Sequence, residues 1–238
     1  MASILDIATD AAAEVSLPPP SDLFSASSDA TNTKLLRMIT RTCRQLANVH
    51  DWTALRREHT FATVAQAEQT NAWPSDGDFR RFVRGSIWNR TTTWQVMGPL
   101  SVDDWQAHQA QVTSRVHDAF IIRDGAFLME PVPPAGETIA YEYVSKAVGT
   151  NAAADTYRLA FAADDDIPLI DDDELITLGV VWRLRASEGL DYSEEVREYD
   201  HRVATLRAND GGQRVINMIP SKIIRPRAPA VPDTIDGL

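Results

Sequence analysis

Residues 171–190 read DDDELITLGVVWRLRASEGL. Leu175, Leu178, Val181, Trp182 and Arg185 fall on one side of a helix, with Ile176, Val180 and Leu184 beside them. A helix apolar around so much of its circumference belongs at the centre of a bundle. Gly189-Leu190-Asp191 stops it. A further helix is expected over about 193–209, where Val196, Tyr199, Val203 and Leu206 form a narrow stripe on a charged rod.

The partners for that central helix stand at the other end of the chain. In residues 3–16, Ile4, Ile7, Ala8, Ala11 and Val15 recur near helical spacing. Ser3 with Asp6 fits a capping box, and Pro18, Pro19 and Pro20 end the helix. Residues 21–30, rich in Ser, Asp and Ala, read as a loop. Over about 32–50, Leu35, Leu36, Ile39, Cys43, Leu46 and Ala47 form one apolar stripe, and Lys34, Arg37, Arg41 and Arg44 fall largely on the other side. The single cysteine, Cys43, reads as a small buried apolar side chain and excludes an intramolecular disulfide framework or a Cys-rich zinc site.

Between the helical ends, from about 55 to 165, the pattern changes to strands. Glu58–Val64 and Thr138–Val144 alternate, and Phe79–Trp88 reads as a further strand region. Asp124-Gly125, between two apolar runs in AFIIRDGAFLM, is a two-residue hairpin turn, because both central positions need positive φ. Residues 101–111 read as a short helix capped by Ser101 with Asp104. From Pro220 onward, four prolines and little periodicity give an extended arm. The expected fold is therefore α+β. Residues 1–54 and 166–212 build a helical bundle, 55–165 form an inserted β-rich region, and 213–238 form an extended C-terminal arm.

Composition excludes several function classes. The net charge of the 238-residue chain is −11, which argues against a protein that coats nucleic acid, since phosphate neutralisation needs clustered Lys and Arg. It does not exclude one that surrounds DNA without gripping it. No apolar run approaches the roughly 20 residues of a membrane span. The opening residues carry acids and no basic stretch, so no secretory signal is expected.

The acidic run 164–174, DDDIPLIDDDE, holds seven acids in eleven positions. Hard-oxygen cation binding is one reading. The general preference of acids for a first helical turn favours the other, with Asp171, Asp172 and Asp173 at a helix start. His50, His59, His108, His117 and His201 show no i, i+4 zinc spacing and no nucleophile motif beside them. Phosphate-binding glycine loops are also absent, so no cofactor, metal or catalytic residue is expected. Arg80, Arg81, Arg84 and Arg90 form a local basic cluster, either an acid- or phosphate-facing patch or a counter-charge to a neighbouring subunit. Trp52, Trp73, Trp88, Trp94, Trp105 and Trp182 divide between core packing and interface anchors.

The order of four stretches resembles the head-to-tail connector (adaptor) proteins of tailed phages. SILDIATDAAAEVSLPPP (3–20) is similar to the family's first helix, and residues 35–61 to its second, with Asp51, Trp52 and Leu55 before the first strand. Residues 73–82, WPSDGDFRRF, resemble a proline-x-aspartate-phenylalanine turn interrupted here by Gly77-Asp78. Residues 169–206 resemble the closing helix pair. The resemblance implies a structural virion protein at the neck, assembled in the host cytoplasm. Its copies, commonly twelve, form a ring between the portal protein and the tail or a stopper or nozzle protein. It implies that the ring retains the packaged double-stranded DNA, which passes through the lumen without specific binding. The C-terminal segment would embrace the portal, with Ile223, Ile224, Arg225 and Arg227 as the anchors expected in this chain. The other readings are a tail or receptor-binding component of a phage-like particle, and a hydrolase acting on DNA or cell wall through a pair among the acids.

Overall fold

The computed structural model describes residues 1–24, 30–110 and 118–211. Its elements, in order, begin with helices α1 (Ile4–Glu14) and α2 (Ala30–Val49) and strands β1 (Arg56–Ala62), β2 (Phe79–Phe82), β3 (Trp88–Asn89) and β4 (Trp94–Gln95). Helix α3 (Val102–Ala110) precedes the hairpin β5 (Ala119–Arg123) and β6 (Ala126–Glu130), then β7 (Thr138–Ser145). Three short strands follow, β8 (Gly149–Thr150), β9 (Tyr157–Arg158) and β10 (Ile167–Pro168). Helices α4 (Asp173–Glu188) and α5 (Ser193–Asn209) close the described chain. The α+β expectation holds, with these helices beside antiparallel sheets.

The helix boundaries follow from local chemistry. At α1 the capping box is complete: the Asp6 amide donates to Ser3 Oγ at 3.2 Å and the Ser3 amide to Asp6 Oδ2 at 2.9 Å. At α4 the Leu175 amide donates to the Asp172 carboxylate at 2.9 Å, so the acids do stand at a helix start. Gly189 ends α4 at φ +74°, left-handed backbone that costs glycine nothing. Helix α3 starts as expected, with the Asp104 amide on Ser101 Oγ at 3.1 Å.

Helix α4 is central. It packs against α1, α2 and α5, and Leu175 through Val181 are all buried. Their partners include Ile4, Ile7 and Ala11 of α1, Leu35, Ile39 and Leu46 of α2, and Tyr199 and Val203 of α5. At the α2 crossing the backbones approach so closely that a Cβ on Gly179 would lie 2.4 Å from Thr42 Cγ2. Cys43, 4% exposed, packs here, and burial pushes its thiol up to about 12. The buried guanidinium of Arg183 donates to Thr42 Oγ1 at 3.0 Å, to Gln45 Oε1 and to the Gly179 carbonyl. It also lies over the Trp182 ring, 4.2 Å from the centroid.

A second core is aromatic. Phe61, Phe120, Phe127, Tyr141 and Tyr143 are buried, with Trp73, Phe79 and Phe82 packed against them. Strand β7 organises it, pairing antiparallel with β1 on one side and with β2 and β3 on the other. The hairpin turns at Asp124 and Gly125, with φ +51° and +77°, as its sequence requires. The strand-rich stretch does not stay apart from the helices. Val144, Val148, Phe161 and Ile170 pack in the helical core, and the Ile4 amide donates to the Asp166 carbonyl at 2.9 Å.

Gly77-Asp78 does not merely interrupt a turn. Asp78, 2% exposed, joins the two cores. Its carboxylate accepts from Ser145 Oγ at 2.5 Å, from the Lys146 and Ala147 amides at 3.0 Å each, and from Arg57 at 2.7 Å. Asp78-Phe79 is thus the aspartate–phenylalanine pair of this turn, with the buried carboxylate fixing the end of β7 and half-buried Phe79 packing against the aromatic core.

Candidate interaction surfaces

The acidic run is used largely inside the fold. Asp166 is fully buried rather than solvated, accepting from the Ala162 and Ala163 amides at 2.7 and 3.1 Å and pairing with Arg158 at 2.9 Å. Asp164 accepts from the Leu23 amide at 2.8 Å. Asp172 caps α4 and also receives Arg202, whose other nitrogen reaches Glu174 at 2.5 Å. Asp164, Asp166, Asp172 and Glu174 therefore have structural tasks, and no group of three or more metal-ligating side chains gathers among the described residues.

The arginine cluster is mostly occupied within the chain. Arg80 donates to the Ala47 carbonyl at 2.7 Å and to Asn48 Oδ1 at 3.0 Å, Arg81 pairs with Asp51, and Arg90 pairs with Glu58 at 2.7 Å. Arg84 is exposed and makes no ion pair among the described residues. Beside it runs a groove of about 700 Å³, lined by Val83, Arg84, Met97, Pro99, Leu100 and Ile122 among others. Burial lowers the affinity of Arg80 for its proton on the same wall.

The tryptophans divide as their two readings allow. Trp52 and Trp105 are buried, and Trp52 Nε1 donates to the Leu46 carbonyl at 2.7 Å. Trp88 and Trp94, 45% and 41% exposed, stand on the β3–β4 hairpin near exposed Met97. Trp88 is paired across from Gln95 and Trp94 across from Asn89, so the two rings stand on opposite faces of this hairpin.

The four expected portal anchors, Ile223, Ile224, Arg225 and Arg227, lie outside the described residues, as does His117. The root of that segment is well defined. Asp210, just beyond α5, accepts from Thr53 Oγ1 at 2.5 Å, from the Thr53 amide at 3.1 Å and from His50 Nε2 at 3.0 Å. Small clefts of about 350 and 250 Å³ flank this point, one lined by Glu198, His201 and Arg202, the other by Trp52, Ile170 and Asp171. No local sequence signal points to the Asp210 latch, because its partners lie about 160 residues earlier in the chain.

His59 packs between Phe61 and Tyr141, and His108 stacks on Trp105, so both serve as ring contacts. His201 is exposed. Burial beside Asp78 pushes the Tyr143 phenol up to about 12, which keeps it a neutral donor at 3.3 Å from that carboxylate. No helix among the described residues is long and apolar enough to cross a membrane. These features provide surfaces, latches and a groove. No curated protein matches the chain. The family model described as SU10 adaptor protein matches residues 2–228, nearly the whole length, and the chain belongs to that family.

Proposed function

We propose that this phage structural adaptor sits at the head-to-tail junction, as a ring between the portal protein and the tail or a stopper or nozzle protein. The family match over residues 2–228 carries the reading. In this scheme residues 1–54 and 166–212 build the ring, and the strand-rich insert 55–165 presents its aromatic edge to tail components. The segment 213–238 reaches the portal, with Ile223, Ile224, Arg225 and Arg227 as its anchors. Two observations support this division. Asp210 pins the root of that segment to Thr53 and His50, so a pull on it is delivered to the helices. Trp88 and Trp94 expose ring surface on the β3–β4 edge.

The role is structural rather than catalytic. Copies matched to the portal, commonly twelve, would retain the packaged double-stranded DNA. The acidity of the chain lets DNA pass a lumen without adhering. The test is copy number. Quantitative mass spectrometry of purified particles should give a fixed ratio to the portal protein close to one-to-one. Absence from particles refutes the reading, and a few copies per particle assigns the chain to the tail tip.

A further inference from the structure

Two helix faces carry charges that the fold leaves unused. Helix α2 exposes Arg37, Arg41 and Arg44 at i, i+4 and i+7, one straight stripe about 10 Å long at 1.5 Å per residue. None makes an ion pair or hydrogen bond among the described residues, whereas Lys34 on the same helix pairs with Glu188 at 3.4 Å. Elsewhere on the helical part, Asp10 and Glu14 of α1 and Glu198 of α5 are exposed and equally unpaired. Glu14 lies among like charges, its proton held more tightly than usual by partial burial, with Asp10, Glu198 and Glu174 adding to the effect against Arg185. No arginine of the α2 stripe comes within ion-pair reach of these acids inside one chain.

We propose that the Arg37–Arg41–Arg44 face of one copy docks on the Asp10–Glu14–Glu198 face of the next. The occupant of the basic face is thus a second copy of this chain. The argument is charge complementarity between two different surfaces on one rigid helical part. Six unpaired charges stand in two single-sign groups of three, while neighbouring charges such as Arg202, Arg185 and Glu188 are already paired. Unlike surfaces meet head to tail, so each copy keeps one free face of each sign, and the contact propagates until a ring closes. The inference rests on the ring reading above and names the contact within it.

The test uses three full-length variants, each checked for native helix content by circular dichroism. One carries Arg37→Glu, Arg41→Glu and Arg44→Glu; a second carries Asp10→Lys, Glu14→Lys and Glu198→Lys; the third combines all six. Sedimentation velocity at low salt should show the wild type assembling with concentration and each single-face variant associating on the order of a hundredfold more weakly. Mixing the two single-face variants should restore assembly in a one-to-one ratio, since the two intact faces attract each other and the two reversed faces, Glu against Lys, attract each other in turn. The sixfold variant should assemble again. Raising salt from about 0.01 to about 1 M, which shortens the screening length from ~30 to ~3 Å, should dissolve the wild-type assemblies. Assembly unaffected by either reversal, no pairing on mixing, or a wild type that stays monomeric at high concentration overturns the inference. The neck reading fails separately, by absence of the wild type from particles. Single-face variants found in particles at full copy number refute only the proposed faces.

Discussion

Replacing Gly179 with alanine separates packing from helix propensity. On propensity alone the change should stabilise α4 by about 1 kcal/mol, since glycine is the poorest ordinary helix residue. The structure predicts the opposite sign. The new Cβ would stand 2.4 Å from Thr42 Cγ2 and 3.0 Å from Tyr199 Cε2, against a comfortable carbon–carbon separation of about 3.5–4.0 Å. Thr42 cannot swing away freely, because its hydroxyl donates to the Met38 carbonyl at 2.8 Å and accepts from Arg183 at 3.0 Å. Relieving an overlap of about 1 Å means moving α2 against α4, and overpacking of this kind costs about 1–3 kcal/mol. The net expectation is a loss of up to about 2 kcal/mol, or a fall of up to roughly 8 °C in Tm for a chain of this size. Thr42→Ser deletes Cγ2 and keeps the hydroxyl. Urea unfolding of the two single variants and the double variant should therefore show a favourable coupling of about 1 kcal/mol or more. A more stable Gly179→Ala, or additive effects, refutes the close α2–α4 crossing.

Three other outcomes follow from single side chains. Asp78→Ala strips the partner from half-buried Arg57 and from the buried Ser145 hydroxyl, and should cost about 3 kcal/mol in chemical denaturation, with Asp78→Asn less damaging. Cys43, with its thiol held near 12, should react with iodoacetamide at pH 8 on the order of a thousandfold more slowly than a free thiol until the chain unfolds. Its folded value is raised, so its contribution to stability is complete below about 8.5 and is lost as pH climbs toward 12, which alkaline melts of wild type and Cys43→Ala will compare. Asp210→Ala removes the acceptor that ties residue 210 to Thr53 and His50, and limited proteolysis should then cut earlier around the end of α5 with the core melt almost unchanged.

The helices were legible because their signals are local. The Ser3–Asp6 box, the Asp172 cap, the Gly189 stop and the 3.6-residue stripes each lie within one or two turns of the chain. The β5–β6 hairpin was legible for the same reason, since Asp124-Gly125 fixes its own backbone. Strands β3, β4, β8, β9 and β10 were not, because each is two residues long and owes its extension to pairing with distant chain. Asp78 read as part of a polar turn, yet its ligands come from residues 57 and 143–147. The arginine cluster, open in the sequence between an acid- or phosphate-facing patch and a counter-charge to a neighbouring subunit, hid its partners for a similar reason, since Arg80 finds Ala47 and Arg90 finds Glu58 only once the sheet has formed. The expected portal anchors follow from the family resemblance and lie outside the described residues.

Strand β7 belongs to both cores at once. Ile139, Tyr141 and Tyr143 lie among the aromatics, while Val144 and then Val148 lie among the helices, and the Asp78 carboxylate grips the chain at the crossing. The stretch between them contains no slack polar linker of the kind that lets two modules swivel. A load applied to the aromatic sheet therefore travels along a continuous backbone into α4, and from α4 to the latch at Asp210. The protein is built as a strut rather than a pair of jointed pieces, so force arriving at one end is passed to the other.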